Sequence, residues 1–369
     1  MSKFFKKSFY YLKPDILLVM GDVSARGSTL TRGKWVSVLH QFHRVLGPFI
    51  ELPFHVVLGD RDVGGCSGLD ANSVYWIARS FPGLDSSGCG AFDIDNVSFV
   101  SLNAVALLCG NNKLRFSVEK AVEMERIGSW METEKEMDDY GEFTKMSDAF
   151  GRRENAVSSG LGPVLLLHFP LHRAANGGCK ERNIVRKAHV PLGQGLNALE
   201  SSRGFTGAGS YDLLHTIPPN ATEYIFQALK PRIVFSAHTH EFCDHTHSDG
   251  TREITVPAMT WKARDDPGFV FATFRSGGNA VSVSYCSLAR ESHVLIAYTL
   301  ILLLLLVSCL WLVHTTGSGY HGALFNMVLC QLFTLSLHAL ESNQHLSTSE
   351  LCSGIDSLKP GNFVDVGDE

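Results

Sequence analysis

Four short apolar runs, each leading within a few residues to a side chain that can bind a cation, constrain this chain more than any other feature. Residues 16–20 (ILLVM) lead into Gly21-Asp22, and residues 55–58 (HVVL) into Gly59-Asp60. Residues 164–167 (VLLL) lead into His168, and residues 233–235 (IVF) into Ser236, just before His238-Thr239-His240. Unbroken apolar runs of this length read as strands covered on both faces. Helical periodicity through Trp35, Val38, Leu39, Phe42 and Leu46 separates the first two, giving strand, helix, strand. That order predicts an α/β sheet with polar residues at several strand ends, which is where open α/β sheets place their sites.

The rest of the chain reads less sharply. Residues 3–12 have helical spacing stopped by Pro14, and residues 92–106 alternate like sheet. Residues 120–160 form a charged insertion or loop, expected to be solvated rather than a binding site. Residues 253–274 (EITVPAMTWKARDDPGFVFATF) predict a hairpin turning at Asp265-Asp266-Pro267-Gly268 and closing the sheet. The nine cysteines include no C-x-x-C pair, so neither a zinc ribbon nor a thioredoxin motif is supported, and their odd number leaves at least one thiol unpaired within the chain. A net charge of -5 with no basic stripe argues against a nucleic-acid partner. Two glycosylation sequons, Asn96-Val97-Ser98 and Asn220-Ala221-Thr222, matter only if the domain faces a secretory lumen.

Residues 294–313 (VLIAYTLILLLLLVSCLWLV) contain no charge, Gly or Pro. About 20 such residues span the roughly 30 Å of a bilayer core, so a transmembrane helix is predicted. Residues 322–340 are a possible second membrane helix, interrupted by Asn326, Gln331 and His338, and residues 342–369 form a polar tail. The N-terminus lacks the apolar core of a signal peptide, so membrane targeting is expected from the C-terminal anchor or from residues upstream of Met1.

Asp and His side chains delivered from successive strand ends make a mixed oxygen and nitrogen site, suited to Mn, Fe or Zn rather than Ca. With these fragments the chain resembles the calcineurin-like metallophosphoesterase family, whose motifs run DxH, GD, GNHD or GNHE, a lone His, then GHxH. The resemblance covers approximately residues 3–287 and implies a metallophosphoesterase-like β-sandwich flanked by helices over residues 1–290, followed by the transmembrane helix. It implies two divalent metal ions, manganese foremost with iron or zinc as alternatives, and hydrolysis of a phosphodiester by metal-activated hydroxide. By position, Asp22 resembles the bridging carboxylate, Asp60 stands where the family has the Asn of GNHD, and His168 resembles the lone imidazole ligand. His238 would join these three on one metal, and His240 would belong to the other. HFPLHR and EITVPAMTWKARDDPGF resemble the membrane-bound branch that removes ethanolamine phosphate from glycosylphosphatidylinositol anchors. That branch implies a lipid-linked phosphodiester substrate, an ER or Golgi membrane and, by analogy, a luminal catalytic domain.

The departures carry expectations of their own. Arg61 replaces the His of GNHD and cannot give up a proton near neutral pH. It could pair with a phosphate oxygen through its planar fork, or simply with Asp62 or another carboxylate. His172 in HFPLHR is then the candidate for leaving-group protonation. No DxH precedes Asp22, as though the first strand of the family were missing, so the ligand count predicts one metal held well and the other poorly. His245 or His247 could act as a substitute ligand. The competing reading is a non-catalytic pseudoenzyme or truncated isoform.

Overall fold

The computed structural model describes residues 8–109, 113–135, 162–173, 215–275, 280–287 and 290–315, with short pieces at 352–353 and 364–365. The chain divides into two compact units, one of residues 1–256 with 274–281 and 365–369, the other of residues 257–273 and 282–364.

In the first unit the elements run β1 (Leu17–Val19), α1 (Arg32–Leu46), β2 (Phe54–Val56), the single turn α2 (Asp60–Val63), α3 (Ala71–Ala78), β3 (Gly90–Ile94) and β4 (Val97–Leu102). They continue through α4 (Ala104–Leu108), α5 (Lys113–Lys135), β5 (Val164–Leu167), α6 (Pro219–Leu229), β6 (Ile233–Ser236), β7 (Cys243–Thr246) and β8 (Arg252–Thr255). The predicted strands therefore form, divided between two sheets. β1 and β2 pair in parallel, Leu17 opposite Phe54 and Val19 opposite Val56, as a two-stranded sheet. The other sheet has six strands in the order β3-β4-β5-β6-β8-β7, parallel from β4 to β8 with antiparallel strands at both edges.

β5 and β6 are buried at every residue, as their unbroken apolar sequences require. α1 buries Trp35 and Leu46, and α6 buries Ala221, Thr222, Ile225 and Leu229 along one face after opening on Pro219, a favoured first helical residue. These faces meet β-strand side chains such as Val100, Leu165, Leu167 and Val234 in one core. A disulfide joins Cys66 to Cys109, which the cysteine spacing alone did not reveal. Closing a loop of this length withholds entropy from the unfolded chain worth about 4 kcal/mol in the chain-entropy account. Cys243 and Cys286 are also disulfide-bonded, whereas Cys89 is a buried free thiol.

Two expectations fail, one on a local helix cap and one on long-range pairing. Residues 104–106 belong to α4, whose first turn is capped by the Asn103 side chain accepting from Ala106 N–H, so the alternating pattern ends at Leu102. Residues 253–274 are not a hairpin: β8 pairs with β6 and β7, while β9 (Gly268–Phe274) pairs with β10 (Ala280–Ser287). In the second unit the helix α7 (Glu291–Thr315) contains the whole of the apolar run 294–313. Its entry is fixed by Asp265, whose carboxylate accepts from Ser292 N–H at 3.0 Å and Ser292 Oγ at 2.9 Å. Leu300, Leu302, Leu303 and Leu304 on α7 are exposed, and the helix is long and apolar enough to cross a membrane. The proposed second span 322–340 and the insertion beyond residue 135 lie outside the described residues.

Burial pushes the His55 imidazole down to about 4, and it bonds Ser101 Oγ at 2.7 Å. A folded-state value below the unfolded one means that the unfolded chain takes up this proton first. The stability that neutral His55 gives is complete above about pH 6.5 and is lost as pH falls toward 4, by up to about 3 kcal/mol. His55→Gln should therefore lose less stability than the parent chain between pH 7 and 4.5 in urea titrations. Parallel losses in the two proteins would show that His55 is not the sensitive group.

Candidate metal centre

The site begins at two Gly-Asp turns. Gly21 (φ +103°) and Asp22 (φ +58°) turn the chain sharply after β1, in a backbone region that suits glycine and costs aspartate. Gly59 does the same work by size, since a Cβ there would meet Asp22 Oδ1 and the His168 ring. A Cβ on Gly21 would likewise collide with His168 Nδ1. Both glycines are needed for the close approach of the two turns to one imidazole.

Asp62, fully buried, ties the turns together. Its Oδ2 accepts from Asp22 N–H at 2.9 Å and Gly59 N–H at 3.1 Å, and its Oδ1 from Ser24 N–H at 2.9 Å. Burial pushes this carboxyl up to about 6 while the backbone N–H donors of Ser24 and Gly59 pull it back. The resulting frame aims Asp22 and Asp60 at His168 from two strands.

His168 Nδ1 lies 2.7 Å from the Met20 carbonyl oxygen, which can only accept, so Nδ1 carries a proton. Nε2 then points at Asp60 Oδ1, 3.1 Å away, and Asp22 Oδ1, 3.6 Å away. In a neutral imidazole this sets a lone pair against two carboxylates. Only a proton or another cation between them removes the conflict. Burial by itself would lower the basicity of His168, but the Asp60 hydrogen bond, the Asp22 charge and the Met20 carbonyl raise it. Asp60 answers in kind: burial would raise its carboxyl, yet His168 and His238 hold it well below the usual carboxylate range.

His238 (φ +64°) brings Nδ1 to 3.3 Å from the same Asp60 oxygen. Asp60, His168 and His238 can each offer a ligand atom within 4.8 Å of the others, and Asp22 Oδ1 lies 3.6 Å from His168 Nε2. This donor set fits a borderline cation of the Mn, Fe or Zn kind. His238 Nε2 faces His215 Nδ1 at 3.0 Å, an orienting partner that no motif in the sequence announced.

The remaining predicted residues divide. His240 (φ +65°) has its basicity lowered by burial and then by the charge of nearby Arg61. Arg61 is half exposed and pairs with Asp22, its Nε 3.5 Å from Oδ2, rather than with Asp62. His172 lies on the loop after β5, its backbone N–H donating to Thr222 Oγ1 at 3.0 Å, and its ring makes no hydrogen bond or ion pair among the described residues. His247 does not serve as a spare ligand, because its Nε2 donates to Glu253 at 2.9 Å; His245 is buried against it.

Glu253 organises the layer behind His168 and His238. It is fully buried, and Oε1 accepts from Leu171 N–H at 3.1 Å and Ser236 Oγ at 2.6 Å. Oε2 accepts from His247 and faces Arg173 Nε at 3.5 Å. One carboxylate thus joins the loop that follows His168 to the strand that leads to His238.

No family model matches the chain. It is similar to proteins named Metallophosphoesterase 1. It shares 26% identity with that of Cricetulus griseus over 81% of this chain and 68% of the relative. Identity with the Rattus norvegicus protein is 26%, over 90% of this chain and 75% of the relative. With the Danio rerio protein it is 25%, over 81% and 70%. A solved dimetal phosphatase from Danio rerio aligns over 76% of this chain and 83% of its own at 13% identity, with a TM-score of 0.41, too loose a likeness to add to the argument.

Removing the Glu253 side chain takes the carboxylate away from buried His247 and partly buried Arg173. Glu253→Ala should cost about 3 kcal/mol or more, read by thermal unfolding, and should weaken metal binding without touching a ligand. A variant that keeps full metal affinity would limit Glu253 to stability.

Proposed function

We propose that the chain, which is similar to proteins named Metallophosphoesterase 1, is a membrane-anchored phosphodiesterase of the calcineurin-like metallophosphoesterase kind, acting on a lipid or glycolipid phosphodiester such as an ethanolamine phosphate on a glycosylphosphatidylinositol anchor. Its class is that of the hydrolases acting on phosphoric ester bonds. The observation that carries the reading is the lone pair of His168 Nε2 set against the carboxylates of Asp60 and Asp22, an arrangement that calls for a cation.

Asp22, Asp60, His168 and His238 would hold one divalent ion, with manganese the first choice. A second ion would share Asp22 and draw on His240. Bound divalent ions in such a site polarise a phosphoryl oxygen and lower the pKa of water. The chain's own residues bind and orient. Arg61, half exposed beside Asp22, offers its guanidinium to a phosphate oxygen, and His172 can deliver a proton to the leaving oxygen. The membrane part of the reading rests on α7, and the luminal side on the Cys66–Cys109 disulfide, since such bonds persist in oxidising compartments.

One observation favours a second reading, a pseudoenzyme or weak enzyme. Arg61 pairs with Asp22 next to His240, so a guanidinium neutralises the carboxylate that a second ion would need.

Detergent-purified full-length protein should retain one manganese ion tightly and a second only at high metal concentration. His168→Ala or Asp60→Ala should lower metal affinity and turnover of a bis-aryl phosphodiester by more than about 100-fold. Turnover that survives His168→Ala or exhaustive chelation would defeat the proposal, and tight metal without turnover of any phosphodiester would select the second reading. Deleting residues 293–369 should move the protein from the membrane fraction to the soluble fraction. Carbonate extraction of the intact chain would contradict the anchor.

A further inference from the structure

The two glycosylation sequons are alike in sequence and quite different in place. Asn96 is the second residue of the two-residue turn between β3 and β4, fixed by the pairing of Ile94 with Val97. Asp95 (φ +47°) and Asn96 (φ +64°) both adopt the left-handed region that such a turn requires, for which asparagine is among the favoured residues. Both are exposed, at a hairpin tip. Asn220 is exposed as well, but it lies in the first turn of α6, where it lines a groove with Leu107, Phe116 and Tyr224. The hydroxyl of its sequon, Thr222 Oγ1, is buried, accepting from His172 N–H and donating to the Ile217 carbonyl.

We propose that Asn96 carries an N-linked glycan, an inference that rests on the luminal placement proposed above. The donor would be a polyprenyl-diphosphate-linked oligosaccharide. Asn96 Nδ2 forms a bond to the anomeric carbon, the carbon–oxygen bond to the diphosphate breaks, and the amide gives up one proton as the polyprenyl diphosphate departs. The register says what this does to the enzyme. β4 runs parallel to β5 with Phe99 opposite Val164 and Leu102 opposite Leu167, so the hairpin tip is at the end of the sheet remote from His168. A glycan there leaves the mouth of the site clear while covering an exposed turn.

The test is to express the full chain in cells with a secretory pathway and treat membranes with a glycan-releasing amidase. Three variants accompany it: Asn96→Gly, which keeps the left-handed turn; Ser98→Ala, which leaves Asn96 in place but breaks the sequon; and Asn220→Gln. The expected result is a mobility shift on treatment that disappears in Asn96→Gly and Ser98→Ala, persists in Asn220→Gln, and leaves phosphodiesterase turnover within about twofold of the parent. A shift unaffected by Asn96→Gly, or no shift at all, overturns the proposal. Maleimide labelling of Cys66 and Cys109 without reductant, with protease treatment of sealed membranes, separates the two possible failures. An oxidised, protected domain without a shift removes the glycan alone, whereas reduced cysteines and a digested domain remove the luminal placement as well.

Discussion

The buried carboxylate of Asp62 is the constraint on which the site depends. Two Gly-Asp turns approach from β1 and β2, and their inward-facing backbone N–H groups need acceptors. Asp62 supplies them, taking Asp22 and Gly59 on one oxygen and Ser24 on the other. Without that bracket the positive-φ geometry of Asp22 would relax and the two acids would not share one imidazole. An acid two residues from Asp60 thus contributes by geometry, although in sequence it reads as one more charge in a GDRD fragment.

A second layer repeats the device from the other side. Glu253 reaches from β8 to the loop after β5 and to Ser236 at the end of β6, and Arg173 and His247 offset its burial. A buried acid of this kind is weak evidence for net stability, because desolvation consumes most of the attraction. What it does secure is relative position: His168 and His238 come from different strands, and their shared neighbour limits how far either can drift.

Much of this was legible in sequence because it is local. Residues 164–167 and 233–235 could only be buried strands, and the polar residues after them could only lie at strand ends. Pairing partners were not legible. Nothing in residues 253–274 says that β8 lies between β6 and β7 while β9 pairs with β10, since a β-rich segment with a good turn fits a hairpin equally well. The Cys66–Cys109 bond, the partnership of His215 with His238 and the choice of Asp22 by Arg61 all depend on separations that only the folded chain defines.

Gly21 and Gly59 bear on how such a site decays. A methyl group at either would push into His168 or Asp22, displacing groups whose identity had not changed. Every ligand would still be present in an alignment, and the motif would score as intact. Loss of catalysis in a lineage can therefore begin at residues that contribute no chemistry, leaving a chain that carries all the signatures of an enzyme over a geometry that no longer supports one.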